Sequence, residues 1–167
     1  MWSHGLVHNI IHKADAHTFL MQKRCTNVNR TKEWINGYEF GLFMSTNVAT
    51  IMAETLHIHG MTMDDTVSPH IHQLALIRGY VENVRCMQRI VWNVDVLRGL
   101  IMRPDAYSLL LKPYGTNGYE YALMHDLHLC EEISKMLKHY EMPVHSVIRY
   151  CVFKQSPKSN IKAILSS

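Results

Sequence analysis

The side chains best suited to chemistry in this 167-residue chain are soft nitrogen and sulfur donors. It holds 12 His, 11 Met and 4 Cys, the donor types that bind transition metals. They are densest in residues 57–72, His-Ile-His-Gly-Met-Thr-Met-Asp-Asp-Thr-Val-Ser-Pro-His-Ile-His. In an extended chain residues i and i+2 point the same way. His57/His59 and His70/His72 then each form a chelating pair. Imidazole with thioether favours copper, and imidazole with carboxylate favours zinc, iron or manganese. In a helix the same pairs diverge by about 200° and become surface histidines at helix ends.

A second set, His4, His8 and His12, recurs every four residues, with Asp15 close to the next step. On a helix these form one stripe, so His4 and His8 are further candidate ligands. The stripe flanks the apolar face, and His17 falls on the apolar side as a half-buried, hydrogen-bonded histidine.

A third segment is Tyr121-Ala-Leu-Met-His-Asp-Leu-His-Leu129. Helical rotation places Asp126 with Tyr119, Cys130 and Leu137, and a carboxylate on an apolar stripe needs a cation or hydrogen bonds. The segment resembles the metal-binding helix of HD-type phosphohydrolases, in which an apolar run precedes a His-Asp dyad. That resemblance implies His125 and Asp126 as ligands of a divalent metal. The nearest upstream histidine is His72, and no Asp follows Asp126.

Arg78, Arg85 and Arg89 are spaced for one helical face and are candidate phosphate or anion contacts. No nucleophile elbow, Walker loop or Rossmann glycine fingerprint occurs. The acid pairs Asp64-Asp65 and Glu131-Glu132 are adjacent and diverge on regular elements, unlike the partners of acid–base catalysis. Enzyme activity is therefore not the leading expectation.

The elements that carry these residues read as helices. Apolar residues recur at three- and four-residue steps over 3–24, over 31–59 with Gly60 as a left-handed cap, over 68–103 and over 118–141. Ser68-Pro69 marks a helix start. The 68–103 segment would be a rod of about 50 Å, shortened by any break near Asn93–Asp95. Asn36-Gly37 competes as a hairpin turn. Asn36-Gly-Tyr-Glu-Phe40 matches Asn117-Gly-Tyr-Glu-Tyr121, but the flanks do not match, and the similarity reads as coincidence. The expectation is an all-α, antiparallel bundle of four to five main helices, with one domain over 1–155 and a basic, polar tail over 156–167.

Composition excludes disorder and low complexity: 47% of residues are apolar and 19% charged. The net charge of +3 is uneven. Residues 135–167 carry six basic residues against one acid, a local field that attracts an anionic partner. Cys25, Cys86, Cys130 and Cys151 are at least 21 residues apart and form no CxxC. Most fall in helical segments, which favours a reducing, cytoplasmic setting. The first residues lack a signal-peptide pattern, and a mature secreted chain stays open, as does the disulfide state. The leading functional expectation is a non-catalytic helical protein that presents helix surfaces to a protein partner or to itself. The alternative is a copper- or zinc-binding helical protein centred on 57–72. The third reading is the metal-dependent phosphohydrolase.

Overall fold

Capping residues cut the chain into shorter helices than its apolar rhythm suggests. The computed structural model describes residues 1–28, 30–85, 87, 92–104, 107–112 and 115–166. It divides into two compact units, Met1–Ile90 and Val91–Ser167. Unit 1 runs α1 (His4–Ile10), α2 (Ala16–Leu20), β1 (Arg24–Val28), β2 (Thr31–Ile35), α3 (Gly37–Gly41), α4 (Thr46–Ile58), α5 (Met63–Thr66), α6 (Pro69–Ile77) and α7 (Val81–Val84). Unit 2 runs α8 (Val94–Leu100), α9 (Tyr107–Leu110), α10 (Gly118–His125), α11 (Leu127–His139), α12 (Val144–Val147), α13 (Tyr150–Gln155) and α14 (Lys158–Leu165).

The chain is mostly helical, as expected, but long bundle rods do not form among the described residues. The 3–24 segment is two helices. The 68–103 segment is interrupted after Arg78, where Gly79 takes φ +90. Asn93 is extended at φ −147 and caps α8 afresh through its side chain. Short helices that each bury the same side keep the three- and four-residue rhythm across such breaks, so periodicity does not reveal them. Residues 158–165, expected within a polar tail, form α14 with Asn160 and Ile164 buried.

The sheet is one antiparallel hairpin, with Arg24 opposite Ile35 and Val28 opposite Thr31. Its turn lies at Arg30, in the left-handed region at φ 66. Asn36 is therefore not a hairpin-turn residue. It is the N-cap of α3, and Glu39 completes a capping box. Gly60 does end α4 in a left-handed conformation, and Met61 N–H reaches back to the Leu56 carbonyl at 2.9 Å.

Unit 2 repeats this plan. Gly60 is matched 81 positions on by Glu141 at φ 53, and Met142 N–H donates to the Leu137 carbonyl at 2.9 Å. At the same spacing α4 matches α11, both 13 residues long, and α5 matches α12. The capping box of Asn36 and Glu39 recurs as Asn117 and Glu120. Asn36 Nδ2 donates to the Thr66 carbonyl at 2.7 Å, and Asn117 Nδ2 donates to the Val147 carbonyl at 2.7 Å.

The flanks recur too, at shifted spacings. Trp2, the Ser3 cap and α1 match Trp92, the Asn93 cap and α8, 90 positions on. Buried Asn83 and Asn160, 77 apart, donate to the carbonyls of the equivalent residues Leu42 and Leu123, both at 2.8 Å. The Asn-Gly-Tyr-Glu similarity is thus no coincidence but one part of an internal repeat. Insertions on both sides hide it from residue-by-residue comparison. Fifteen residues separate Leu20 from Asn36, and six separate Leu110 from Asn117. The longer connection carries the β1–β2 hairpin.

The Gly of each motif is required by close approach. A Cβ on Gly37 would lie 3.0 Å from the Trp2 ring and 3.1 Å from the Leu20 Cα. One on Gly118 would lie 3.0 Å from the Trp92 ring and 2.9 Å from Leu110. Each indole is also tied by its N–H, Trp2 to the Ile35 carbonyl at 2.9 Å and Trp92 to the Thr116 carbonyl at 3.0 Å.

Candidate functional site

The predicted metal ligands scatter. Among the described residues no group of three or more His, Cys, Asp or Glu converges on a point. His57 is exposed near the end of α4, and His59 caps that helix with its Nδ1–H donating to the Thr55 carbonyl at 2.9 Å. His70 and His72 lie in the first turns of α6 and point apart. His70 is exposed and pairs with Glu33 at 3.1 Å, while His72 is buried. Helical geometry explains this, because i and i+2 lie on different faces. His4 packs edge-on against Phe40, and His8 is exposed on α1.

His17 is half-buried and shares a 2.7 Å hydrogen bond with the Tyr38 hydroxyl. Its ring stacks on His59, centroids 4.1 Å apart and planes at 19°. Burial and the neighbouring His59 both hold its pKa below the ordinary value. In unit 2 the equivalent stack is Tyr107 on Tyr140, centroids 4.3 Å apart.

The His125–Asp126 dyad is a helix junction. Asp126 is not on the apolar stripe. It is half-exposed and caps α11, its Oδ1 accepting from Leu129 N–H at 3.1 Å, and its Oδ2 lies 3.7 Å from Arg98. His125 is exposed and stacks on Tyr121. Asp126 is thereby accounted for without a metal.

The buried carboxylates are others that sequence reasoning passed over, Glu39 and Glu120. Glu39 Oε1 accepts from Asn36 N–H at 3.1 Å, while Oε2 accepts from Ser68 N–H at 3.2 Å and the Ser68 hydroxyl at 2.9 Å. Glu120 accepts from Asn117 N–H at 3.1 Å, Arg149 N–H at 3.1 Å and Arg149 Nε at 2.8 Å. Each joins the start of one helix to the start of another about 30 residues on. The pair with Glu120 raises the Arg149 pKa. With every bond committed to structure, these glutamates hold the scaffold. The repeated motif was the signal that would have found them.

Arg78 and Arg85 do not share a helix. Arg78 follows α6, Arg85 follows α7 and pairs with Glu82 at 3.0 Å, and Arg89 lies outside the described residues. Arg78 stands in a cleft of about 280 Å³ with His4, Asn27, Val28, Phe40, Phe43 and Tyr80. A second concavity, of about 270 Å³, belongs to unit 2 and is lined by Val144, His145, Ile148, Tyr150, Phe153 and Leu165. Tyr150 is 76% and Leu165 63% exposed, so this groove offers apolar surface directly to solvent.

Cys25, Cys130 and Cys151 are free thiols, and Cys86 lies outside the described residues. No helix among the described residues is long and apolar enough to cross a membrane. No protein-family model matches the chain, no curated protein is similar to it, and no solved structure matches its fold.

Proposed function

We propose that the protein is a non-catalytic helical binding protein that engages an acidic, amphipathic segment of a protein partner through the unit 2 groove. The observation that carries this reading is the exposure of Tyr150 and Leu165 on a groove otherwise walled by aliphatic and aromatic side chains. Large apolar side chains left in water cost free energy that a partner recovers, about 25 cal/mol per Å² covered. Tyrosine is also a frequent anchor residue at interfaces.

Charge specifies the partner. Lys154, Lys158 and Lys162 are exposed on α13 and α14, the helices that also carry Tyr150, Phe153 and Leu165 of the groove. They belong to the basic C-terminal fifth, whose field favours an anionic approach. A helix with leucines on one face and glutamates on the other satisfies both features. The metal-binding and phosphohydrolase readings draw no comparable support from the geometry.

Fluorescence anisotropy with a labelled acidic amphipathic peptide tests the reading, with a peptide of the same apolar face and a lysine polar face as control. The acidic peptide is expected to bind, and the basic one to bind at least ~10-fold more weakly. Tyr150→Ala and Leu165→Ala should each weaken binding by about 10-fold, with circular dichroism unchanged. Equal binding of the two peptides, or indifference to both substitutions, would overturn the proposal.

A further inference from the structure

The internal repeat isolates what unit 1 has and unit 2 lacks. The two units share helices, caps, buried glutamates and tryptophan-capped glycines. The β1–β2 hairpin is extra, and it supplies Asn27 and Val28 to the 280 Å³ cleft. The other walls come from α1 (His4), α3 and the turn after it (Phe40, Phe43), and the α6–α7 turn (Arg78, Tyr80). A cleft made where an insertion meets a shared scaffold is not required by the scaffold itself.

Its lining is chemically selective. Phe43 and Tyr80 meet edge-to-face, centroids 5.4 Å apart and planes at 74°. Phe40 and His4 do the same at 5.7 Å and 89°. These rings line the cleft with aromatic surface, which suits a planar ligand by edge-to-face or offset contact. Arg78 is exposed, and no carboxylate or side-chain hydrogen bond among the described residues engages its guanidinium. An uncommitted guanidinium matches a phosphate or carboxylate with two parallel N–H bonds. Asn27 points outward from β1 and is exposed, presenting a donor and an acceptor side by side, the pattern that reads an adenine edge.

We propose that this cleft is a ligand site for a nucleotide, one planar heteroaromatic base with one phosphate. Arg78 takes the phosphate, the aromatic walls take the base, and the Asn27 carboxamide pairs with the base edge. The volume lies just below the range of ordinary small-molecule pockets, which suits one base and one phosphate rather than a dinucleotide. A simple aryl carboxylate would leave Asn27 unused.

Isothermal titration of the full chain tests the proposal with adenosine 5′-monophosphate, adenosine, inorganic phosphate and a short oligoadenylate. The monophosphate should bind at least ~10-fold more tightly than adenosine or phosphate. Arg78→Ala should remove that advantage while leaving adenosine binding unchanged. Asn27→Ala should weaken monophosphate and adenosine alike and leave phosphate unaffected. Both residues are exposed, so neither substitution threatens folding. If the oligoadenylate binds more tightly than the monophosphate, the base–phosphate unit is supplied by a strand and the site stands. Absence of monophosphate binding at millimolar concentration, equal affinity for inorganic phosphate, or indifference to Arg78→Ala would overturn it.

Discussion

His17 stacks face to face on His59 and hydrogen-bonds the Tyr38 hydroxyl, where unit 2 stacks Tyr107 on Tyr140 beside Tyr119. The same aromatic layer is thus built from imidazoles in one unit and from phenols in the other. Protonating one imidazole brings charge into a half-buried position beside another imidazole, which explains the lowered His17 pKa.

The sign follows from linkage. A histidine whose folded pKa lies below 6.5 binds fewer protons folded than unfolded. Its contribution to stability is full above the unfolded value and is lost as pH falls through the lowered folded value. The urea midpoint should therefore drop as pH falls from 7.5 to 5.5. The double substitution His17→Tyr/His59→Tyr, which copies the unit 2 stack, should flatten that dependence. A variant with an unchanged pH slope would show that other groups set it.

Glu39 braces two helix starts from a buried position. Glu39→Ala strands the buried Asn36 N–H, removes the acceptor of the part-buried Ser68 N–H, and should cost about 2 kcal/mol. Glu39→Gln keeps the shape and one acceptor, so it should cost less. Chemical denaturation distinguishes the three proteins by midpoint at constant slope.

Gly37→Ala and Gly118→Ala each push a methyl group against an indole ring and a neighbouring leucine. Overpacking of this kind costs about 1–3 kcal/mol. Gly5→Ala is the control, because its Cβ meets nothing within 4 Å. Thermal unfolding should lower the midpoint for the first two and spare the third.

Cys130 is buried, its thiol donating to the Ala122 carbonyl at 3.2 Å, and burial pushes its pKa up to about 12. Cys25 and Cys151 are exposed. Alkylation of the native protein at pH 8 should modify Cys25 and Cys151 within minutes and leave Cys130 unmodified until the chain unfolds, because thiolate is the reactive form. Peptide mass mapping reads the result. Labelling of Cys130 at the rate of Cys151 would contradict its buried environment.

The sequence by itself determined the helical class, the Gly60 cap, the Ser68-Pro69 start and the half-buried state of His17. Each is a short-range matter of apolar spacing, backbone preference or a neighbour within a turn or two. It also displayed one piece of the repeat, Asn-Gly-Tyr-Glu, without its meaning. Only the tertiary structure matched Trp2 to Trp92 and Asn83 to Asn160 across insertions. Only the fold could do so, since each equivalence rests on bonds to residues 24 to 41 positions away. The same distance in sequence decided the sites. His-x-His spacing fixes no direction until the backbone conformation is known, and a helix sends alternate side chains to different faces. Arg78, Asn27 and Phe43 become neighbours of one cleft because three separate turns of chain meet there, and no local pattern encodes that meeting.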